Sequence, residues 1–437
     1  MDVPGHGSRL VLESSPYGEL QDVMTAQPFI YVCVVSEFNL PEYEACLTLR
    51  PRHLVLVVSS FPKLRKASER LVNVLRESLP EMQIHRPDEQ QQFDGENILE
   101  LQTWIAEALR PCVDAIKAGS QEDLMLVFNA TGGTKAIGMG LLTRMPWDEV
   151  HYKGITGSHL QRLALINNEW VSRGMPYPLK TAAPLDIAHL YADKVEQQNI
   201  GLEGQEQHAE LAQQLWQALD EQEAGIEALF GWLDELWSQG RDNPDYSKNQ
   251  LTLTLPEALQ TPQVAAWIER LSSLDASSFD LNGQQLSLPG NNPRKSRKAV
   301  RKWISGDWLE QLTHHWLLDT GVLAEEMARG VVVNPEQKQS SDGNREADVF
   351  VHLKGRSYLI EIKADVPPET QEKSIEQQLE SMGDRFGKTT KVLMVGPHFR
   401  RSLEEKSRWG IFKAKLAANG TRLCDSRESL LKALGLS

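Results

Sequence analysis

The sequence predicts an α/β protein of more than one domain. The 437 residues exceed the usual size of one hydrophobic core. Up to about residue 180, short Val- and Leu-rich runs alternate with segments of helical apolar spacing. After residue 300 a second set of such runs follows a connector that opens on a Gln-, Glu-, Ala- and Leu-rich helical stretch without β signal. Apolar strands with intervening helices mean a mostly parallel sheet covered on both faces.

Residues 1–27 show no clear period and read as a leader. From Pro28, "FIYVCVV" is a strand that ends in the polar turn "SEFNLP". "HLVLVVSS" is a second strand, and the segment after it repeats Leu71, Val74, Leu75 and Leu79 at helical spacing. A short strand around Met82 to His85, a helix over Ile98 to Lys117 and a strand over Leu124 to Phe128 come next. Runs around Val150 to Tyr152 and Arg162 to Ile166 finish this sheet, giving a domain over 28–180.

Residues 181–290 are rich in Gln, Glu, Ala and Leu and read as a helical connector. Within it, "LTLTL" and "LNGQQLSLPG" flank a helix from Pro262 to Leu274, the pattern of a small winged or hairpin insert. "PGNNPRKSRKAVRK" marks a boundary, with six basic residues in the nine positions Arg294 to Lys302. The domain over 291–437 then reads helix, strand, strand, helix, strand, from "WLEQLTHHWLLDTG" through "EADVFVHL", "SYLIEIKA" and "SIEQQLESMGDRFG" to "KVLMVG".

Net charge is −14, unevenly spread. Residues 291–437 carry 25 Lys+Arg against 20 Asp+Glu, a net +5, which leaves −19 for residues 1–290. An acidic front and a basic back suggest different partners, and the basic run fits a phosphate backbone. No apolar run approaches the roughly 20 residues that span a bilayer, and the first residues lack a secretory pattern. Cys33, Cys46, Cys112 and Cys424 have no CxxC spacing, against a zinc site or disulfide framework. These features imply a cytoplasmic protein with no membrane partner.

Two constellations carry chemistry. In "FNATGGTKAIGMG" a strand runs into Gly132-Gly133-Thr134 at a helix start, which gathers backbone N–H groups at the positive end of a helix dipole. Gly132 and Gly133 permit close backbone approach, Thr131 and Thr134 add hydroxyls, and Lys135 adds a positive charge. This is an anion cradle, although the Walker pattern and the GxGxxG fingerprint both fail. A plain helix cap with turning glycines is the competing reading.

The second constellation lies in "GDWLEQL", "NREADVFV" and "YLIEIKAD". Glu361 and Lys363 share one face of a strand while Ile360 and Ile362 point into the core. Asp348, thirteen residues earlier, fits the facing arm of a hairpin. Two carboxylates brought together suit a shared hard cation, Mg²⁺ or Mn²⁺, and Lys363 can orient a water or neutralise a phosphoryl transition state. Glu310, on the preceding helix, adds a further metal or water contact. Alone, Glu and Lys on one strand more often form a solvated salt bridge. His314 and His315 are adjacent on a helix, face different ways, and read as packing residues.

"VVSEFNLP" followed about a hundred residues later by "FNATGGTKA" resembles the CRISPR-associated Rossmann-fold (CARF) sensor domain. The resemblance implies a Rossmann-like domain whose two loops bind a cyclic oligoadenylate across a homodimer. It assigns ligand contact to Ser36, Glu37 and Asn39 in the first loop and to Asn129, Thr131, Gly132, Gly133, Thr134 and Lys135 in the second. Ser59 and Ser60 are further candidates. Residues 300–400 resemble the PD-(D/E)xK nuclease core, with restriction-endonuclease-like α/β/α fold, and the 306–310 element with Gln377 and Gly383 resembles the endonuclease of CARF-containing effectors. Ala347 stands where that family often has proline.

Together these imply a metal-dependent nuclease of type III CRISPR defence that cleaves DNA or RNA, with Asp348, Glu361 and Glu310 as metal ligands and Lys363 beside them. The nuclease resemblance favours cyclic tetra-adenylate as activator. Two other readings stay open: a regulator that binds DNA without cutting, and a sensor pocket that degrades its own ring.

Overall fold

The computed structural model describes residues 28–89, 91–154, 158–166, 169–173, 176–197, 206–239, 250–272, 280–282, 285–289, 303–333, 346–364, 375, 379 and 386–436. The leader, the basic run Arg294 to Lys302, Gln377 and Gly383 lie outside the described residues. The chain divides into two compact units, Met1–Lys180 and Thr181–Ser437.

The first unit opens with β1 (Phe29–Val34), α1 (Leu40–Leu49), β2 (His53–Val57), α2 (Pro62–Ser78) and β3 (Gln83–His85). Helix α3 (Ile98–Trp104) continues through a π turn over Ile105–Leu109 into α4 (Arg110–Gly119). Then come β4 (Met125–Asn129), α5 (Lys135–Arg144), β5 (Glu149–Lys153), β6 (His159–Ile166), β7 (Glu169–Ser172) and β8 (Tyr177–Pro178). The sheet order is β3-β2-β1-β4-β5-β6-β7, with β8 on β6. Strands β3 to β5 are mutually parallel and β6 turns antiparallel. The chain walks from β1 outward to β3 and returns on the other side with β4. Order therefore reverses between β1 and β4, and the loops leaving their carboxyl ends face one crevice.

Alternation divides the sheet into two unlike faces. Ile30, Val32, Val34, Leu126, Phe128 and Val150 join a core closed by α3, α4 and α5. Tyr31, Cys33, Glu149, His151 and Lys153 point the other way, and all are buried. That face is polar because its charges are paired. Lys153 Nζ lies 2.7 Å from Glu44 Oε2. Glu149 accepts from His151 at 2.9 Å and from Arg162 through both carboxylate oxygens, one at 2.8 Å.

The second unit starts with α6 (Pro184–Tyr191), β9 (Val195–Gln197), α7 (Glu206–Asp220) and α8 (Ala224–Gln239). Next are β10 (Gln250–Thr254), α9 (Pro262–Ser272), β11 (Asp280–Asn282) and β12 (Gln285–Pro289), where β10-β12-β11 form a small antiparallel sheet beside one helix. A π turn over Trp303–Asp307 leads into α10 (Trp308–Asp319), followed by β13 (Met327–Val333), β14 (Glu346–Leu353), β15 (Arg356–Lys363) and β16 (Thr389–Val395). The chain ends with α11 (Pro397–Glu405), α12 (Trp409–Ala418), β17 (Arg422–Cys424) and α13 (Arg427–Leu434).

These strands form a six-stranded sheet, β17-β16-β15-β14-β13-β9. Strands β14 and β15 make a tight hairpin through Lys354 and Gly355, whose φ values of 49° and 74° suit the two-residue turn that a twisted hairpin demands. One apolar core runs from Leu211 through α8, α9 and α10 to Val349, Ile360, Ile362 and Leu434, so residues 206–289 share the core of the strands that follow them. Tryptophans anchor it with their N–H groups satisfied: Trp316 donates to Gln213 at 2.9 Å, Trp267 to Glu223 at 2.8 Å and Trp303 to Gln311 at 2.7 Å.

The polar face of the first unit makes a pH-dependent contribution to its stability. Burial pushes the Glu149 carboxyl up, but hydrogen bonds from His151 and Arg162 outweigh burial and hold it at about 2, below the ordinary 4.5. A depressed carboxylate stabilises the fold above its unfolded value, and that contribution is lost as pH falls from about 4.5 to about 2. Glu149→Gln should flatten this acid slope and cost about 3 kcal/mol at neutral pH, because Arg162 keeps its charge without its partner. Urea unfolding at neutral and at acid pH reads both effects.

Candidate functional site

The loops after β1 and β4 are neighbours, because those strands pair directly, Cys33 beside Asn129. In the first loop Asn39 is buried and locks the turn: its Oδ1 accepts Ser36 N–H at 2.9 Å and its amide donates to the Ala67 carbonyl at 3.4 Å. Ser36 Oγ donates to the Phe38 carbonyl at 3.0 Å. Glu37 is exposed, 3.8 Å from Lys63. In the second loop Asn129 is buried and its Oδ1 accepts Thr131 N–H at 3.0 Å. Thr131 Oγ1 accepts Lys153 N–H at 2.9 Å. Thr134 caps α5, accepting Ile137 N–H at 3.3 Å and donating to the Gly95 carbonyl at 3.2 Å. Gly133, Thr134 and Lys135 are exposed. Ser59 is sealed at 2% exposure, with Gly95 pressed over it, and Ser60 N–H is taken by the Phe93 carbonyl at 2.9 Å.

The glycines do something the sequence did not reveal. A Cβ on Gly132 would stand 2.5 Å from Glu42 Oε1 and 2.6 Å from the Val34 carbonyl oxygen. One on Gly133, whose φ is 85°, would run into Val34 Cγ1. The space that the missing side chains free is thus filled from within, by Val34 and Glu42, and it is this packing that seats the loop on β1. Glu42 had no sequence signal of its own, since an acidic residue in a first helical turn is ordinary dipole matching.

In the second unit four predicted residues converge. One step beyond the Val349–Ile360 pair of the β14–β15 ladder, Asp348 stands beside Glu361. Asp348 Oδ2 accepts Ile362 N–H at 2.6 Å, and Lys363 Nζ is ion-paired with Glu361 Oε1. Glu361 is fully buried. Burial, then the charges of Glu361 and Glu310, push the Asp348 carboxyl well above the usual carboxylate range, with Lys363 and the Ile362 N–H pulling it down. Burial lowers Lys363, but Glu361, Asp348 and Glu310 more than reverse this and hold its ammonium charged. Glu310 of α10 therefore belongs to the same field.

Among the described residues, no three His, Cys, Asp or Glu side chains are gathered closely enough to hold a metal ion. The chemistry of the pair still fits a hard divalent cation: Asp348 and Glu361 oppose each other's ionisation, and a cation between them relieves that repulsion. His314 sits one turn from Glu310 and is held neutral, lowered to about 4 by burial and then by Arg329 and His315. His315 lies on the exposed side, 3.6 Å from Asp319. His352 is buried and bonded to Ser357 at 2.9 Å.

No family model and no curated protein matches this sequence. Solved structures do. Protein VC1899 from Vibrio cholerae matches with a TM-score of 0.64 at 17% identity, over 92% of this chain and 95% of that one. Can2 from Sulfobacillus thermosulfidooxidans, solved in complex with cyclic tetra-adenylate, matches with a TM-score of 0.59 at 15% identity, over 93% of this chain and 98% of that one. The chain shares their fold along nearly its whole length. No helix among the described residues is long and apolar enough to cross a membrane.

Gly133 tests the seating of the loop. Gly133→Ala should destabilise the first unit by about 1–3 kcal/mol, through the positive φ and the collision with Val34, visible as a lowered melting temperature.

Proposed function

We propose that the protein is a metal-dependent nuclease of type III CRISPR defence, cytoplasmic and homodimeric, switched on by a cyclic oligoadenylate, with cyclic tetra-adenylate as the favoured ring. The observation that carries the hydrolytic half is the convergence of Asp348, Glu361 and Lys363 in one buried field with Glu310. The sensor half is supported by two neighbouring loops at a strand-order reversal and by likeness in fold to Can2, whose structure holds cyclic tetra-adenylate. On this reading the first unit is a CARF-type sensor and the second carries a PD-(D/E)xK-type nuclease.

Asp348 and Glu361 would hold Mg²⁺ or Mn²⁺, with Glu310 adding negative charge behind them. The bound ion would acidify a water and offset charge on the phosphoryl group. Lys363, kept protonated by its carboxylate neighbours, would leave Glu361 to neutralise the phosphoryl oxygens of the DNA or RNA or to orient the attacking water. Asp348, fixed through the Ile362 N–H, keeps its oxygens aimed while the scissile strand enters.

In the sensor, the backbone N–H groups of Gly132, Gly133 and Thr134, the start of α5 and the Lys135 ammonium would receive a phosphate. Ser36, Glu37 and Asn39 would line the adjoining loop, with Asn129 and Thr131 shaping the second. A ring of repeated adenylates suits a two-fold pocket, where the same loop on each copy meets an equivalent phosphate. Ile98 at 51%, Leu99 at 74% and Met139 at 67% exposure support an apolar face for the second copy, on helices that pack tightly where Gly140 meets Leu101. Activation requires the ring to bind the active arrangement more tightly than the idle one.

Glu361→Ala should abolish cleavage of labelled DNA or RNA yet keep cyclic tetra-adenylate binding. Lys135→Ala should weaken ring binding by about 10- to 100-fold through loss of a charged contact, so that cleavage needs correspondingly more ring. Mn²⁺ should raise the melting temperature of the native protein and not that of Glu361→Ala. Cleavage by Glu361→Ala with metal present would show that the active site lies elsewhere.

A further inference from the structure

One buried group has no part in this mechanism. Glu42, in the first turn of α1, is 1% exposed, and neither of its carboxyl oxygens has a hydrogen-bond partner. Buried polar atoms are nearly always satisfied, so an orphaned carboxyl calls for a reason. Its position supplies one. Oε1 lies 2.5 Å from the point a Gly132 Cβ would occupy, with the Val34 carbonyl oxygen 2.6 Å from the same point. The carboxyl is the underside of the cradle loop.

The surrounding groups compensate its charge only in part. Tyr31 and Cys33 face it from β1, Cys46 stands one turn along α1, and Lys153 faces it from β5. Lys153 is already held by Glu44, 2.7 Å from Nζ. Burial pushes the Glu42 carboxyl up to about 8, against its own backbone N–H and Lys153, which pull the other way. The sign is opposite to that of Glu149: near neutrality Glu42 keeps its proton, and it loses the proton as pH rises through about 8.

We propose that Glu42 is a proton-linked floor of the phosphate cradle, which admits an anion onto Gly132 when neutral and repels one when ionised. The proposal rests on the sensor reading above. Above the titration, binding one ring phosphate draws one proton from solvent onto Glu42 of that subunit, so affinity and proton uptake change together. Glu42 positions no reacting atom. It decides whether the loop above it carries a negative charge at its back.

Calorimetric titration of the full-length protein with cyclic tetra-adenylate tests this, since neither the phosphodiesters nor the adenines of the ring titrate near neutral pH. Affinity should fall about a hundredfold from pH 7 to pH 9, about tenfold for each of the two subunits that the ring spans, with a buffer-dependent heat that reports proton uptake at the upper end. Glu42→Gln, neutral and of the same shape, should bind with unchanged affinity across that range. Glu42→Leu provides a second neutral side chain should Glu42→Gln fail to fold. A native protein whose affinity does not move with pH, or a neutral variant that loses affinity equally, would overturn the proposal. A folded native protein that binds no ring at any pH would overturn the sensor reading and the proposal with it, a result distinct from either of those.

Discussion

The register of β15 against β14 is the constraint on which the second unit depends. With Val349 opposite Ile360, Ile360 and Ile362 enter the core while Asp348, Glu361 and Lys363 share the other face. Side chains alternate with a period of two, so a slip of one residue would send the isoleucines out and the carboxylates in. The apolar core therefore enforces the arrangement of the charged group. The tight turn at Lys354 and Gly355 fixes the same register from the other end. Repulsion between the buried Glu361 and the half-buried Asp348 is the cost of this arrangement, and Lys363 and the Ile362 N–H offset only part of it.

The first unit solves a related problem in another way. Its sheet is apolar toward α3, α4 and α5 and charged toward α1, where Glu149, His151, Arg162, Lys153 and Glu44 pair off. Glu42 is the member of this face whose carboxyl oxygens find no hydrogen bond, and it lies under the loop that the strand order singles out. Pairing makes most of the polar face structural.

Legibility followed how local each feature is. Strands β1, β2 and β4 and helix α2 carry their period within a few residues and could be read directly from the sequence. Strand β9 has three residues and becomes a strand only by pairing with β13, more than a hundred residues on; nothing local announces it. The π turn at Ile105–Leu109 lies inside an unbroken helical pattern and leaves no compositional trace. At the candidate centre, Asp348 and Glu361 were readable together because a hairpin joins them, and Glu310 because it precedes that hairpin on a helix. Glu44 and Lys153 are 109 positions apart, and Glu42 and Gly132 are 90 apart, so the charge pattern beneath the Gly132 loop emerges only once the sheet is assembled. The glycines show the same limit: the sequence marks where a side chain is missing, and only the fold shows that Val34 and Glu42 take its place.

The central claim is that a ring nucleotide on the first unit licenses hydrolysis by the second. Its most direct test is a factorial digestion of labelled DNA and RNA by the native protein, with Mn²⁺ and cyclic tetra-adenylate each present or absent. The account predicts cleavage only when both are present. Equal cleavage with Mn²⁺ alone, or none under any combination, would contradict it.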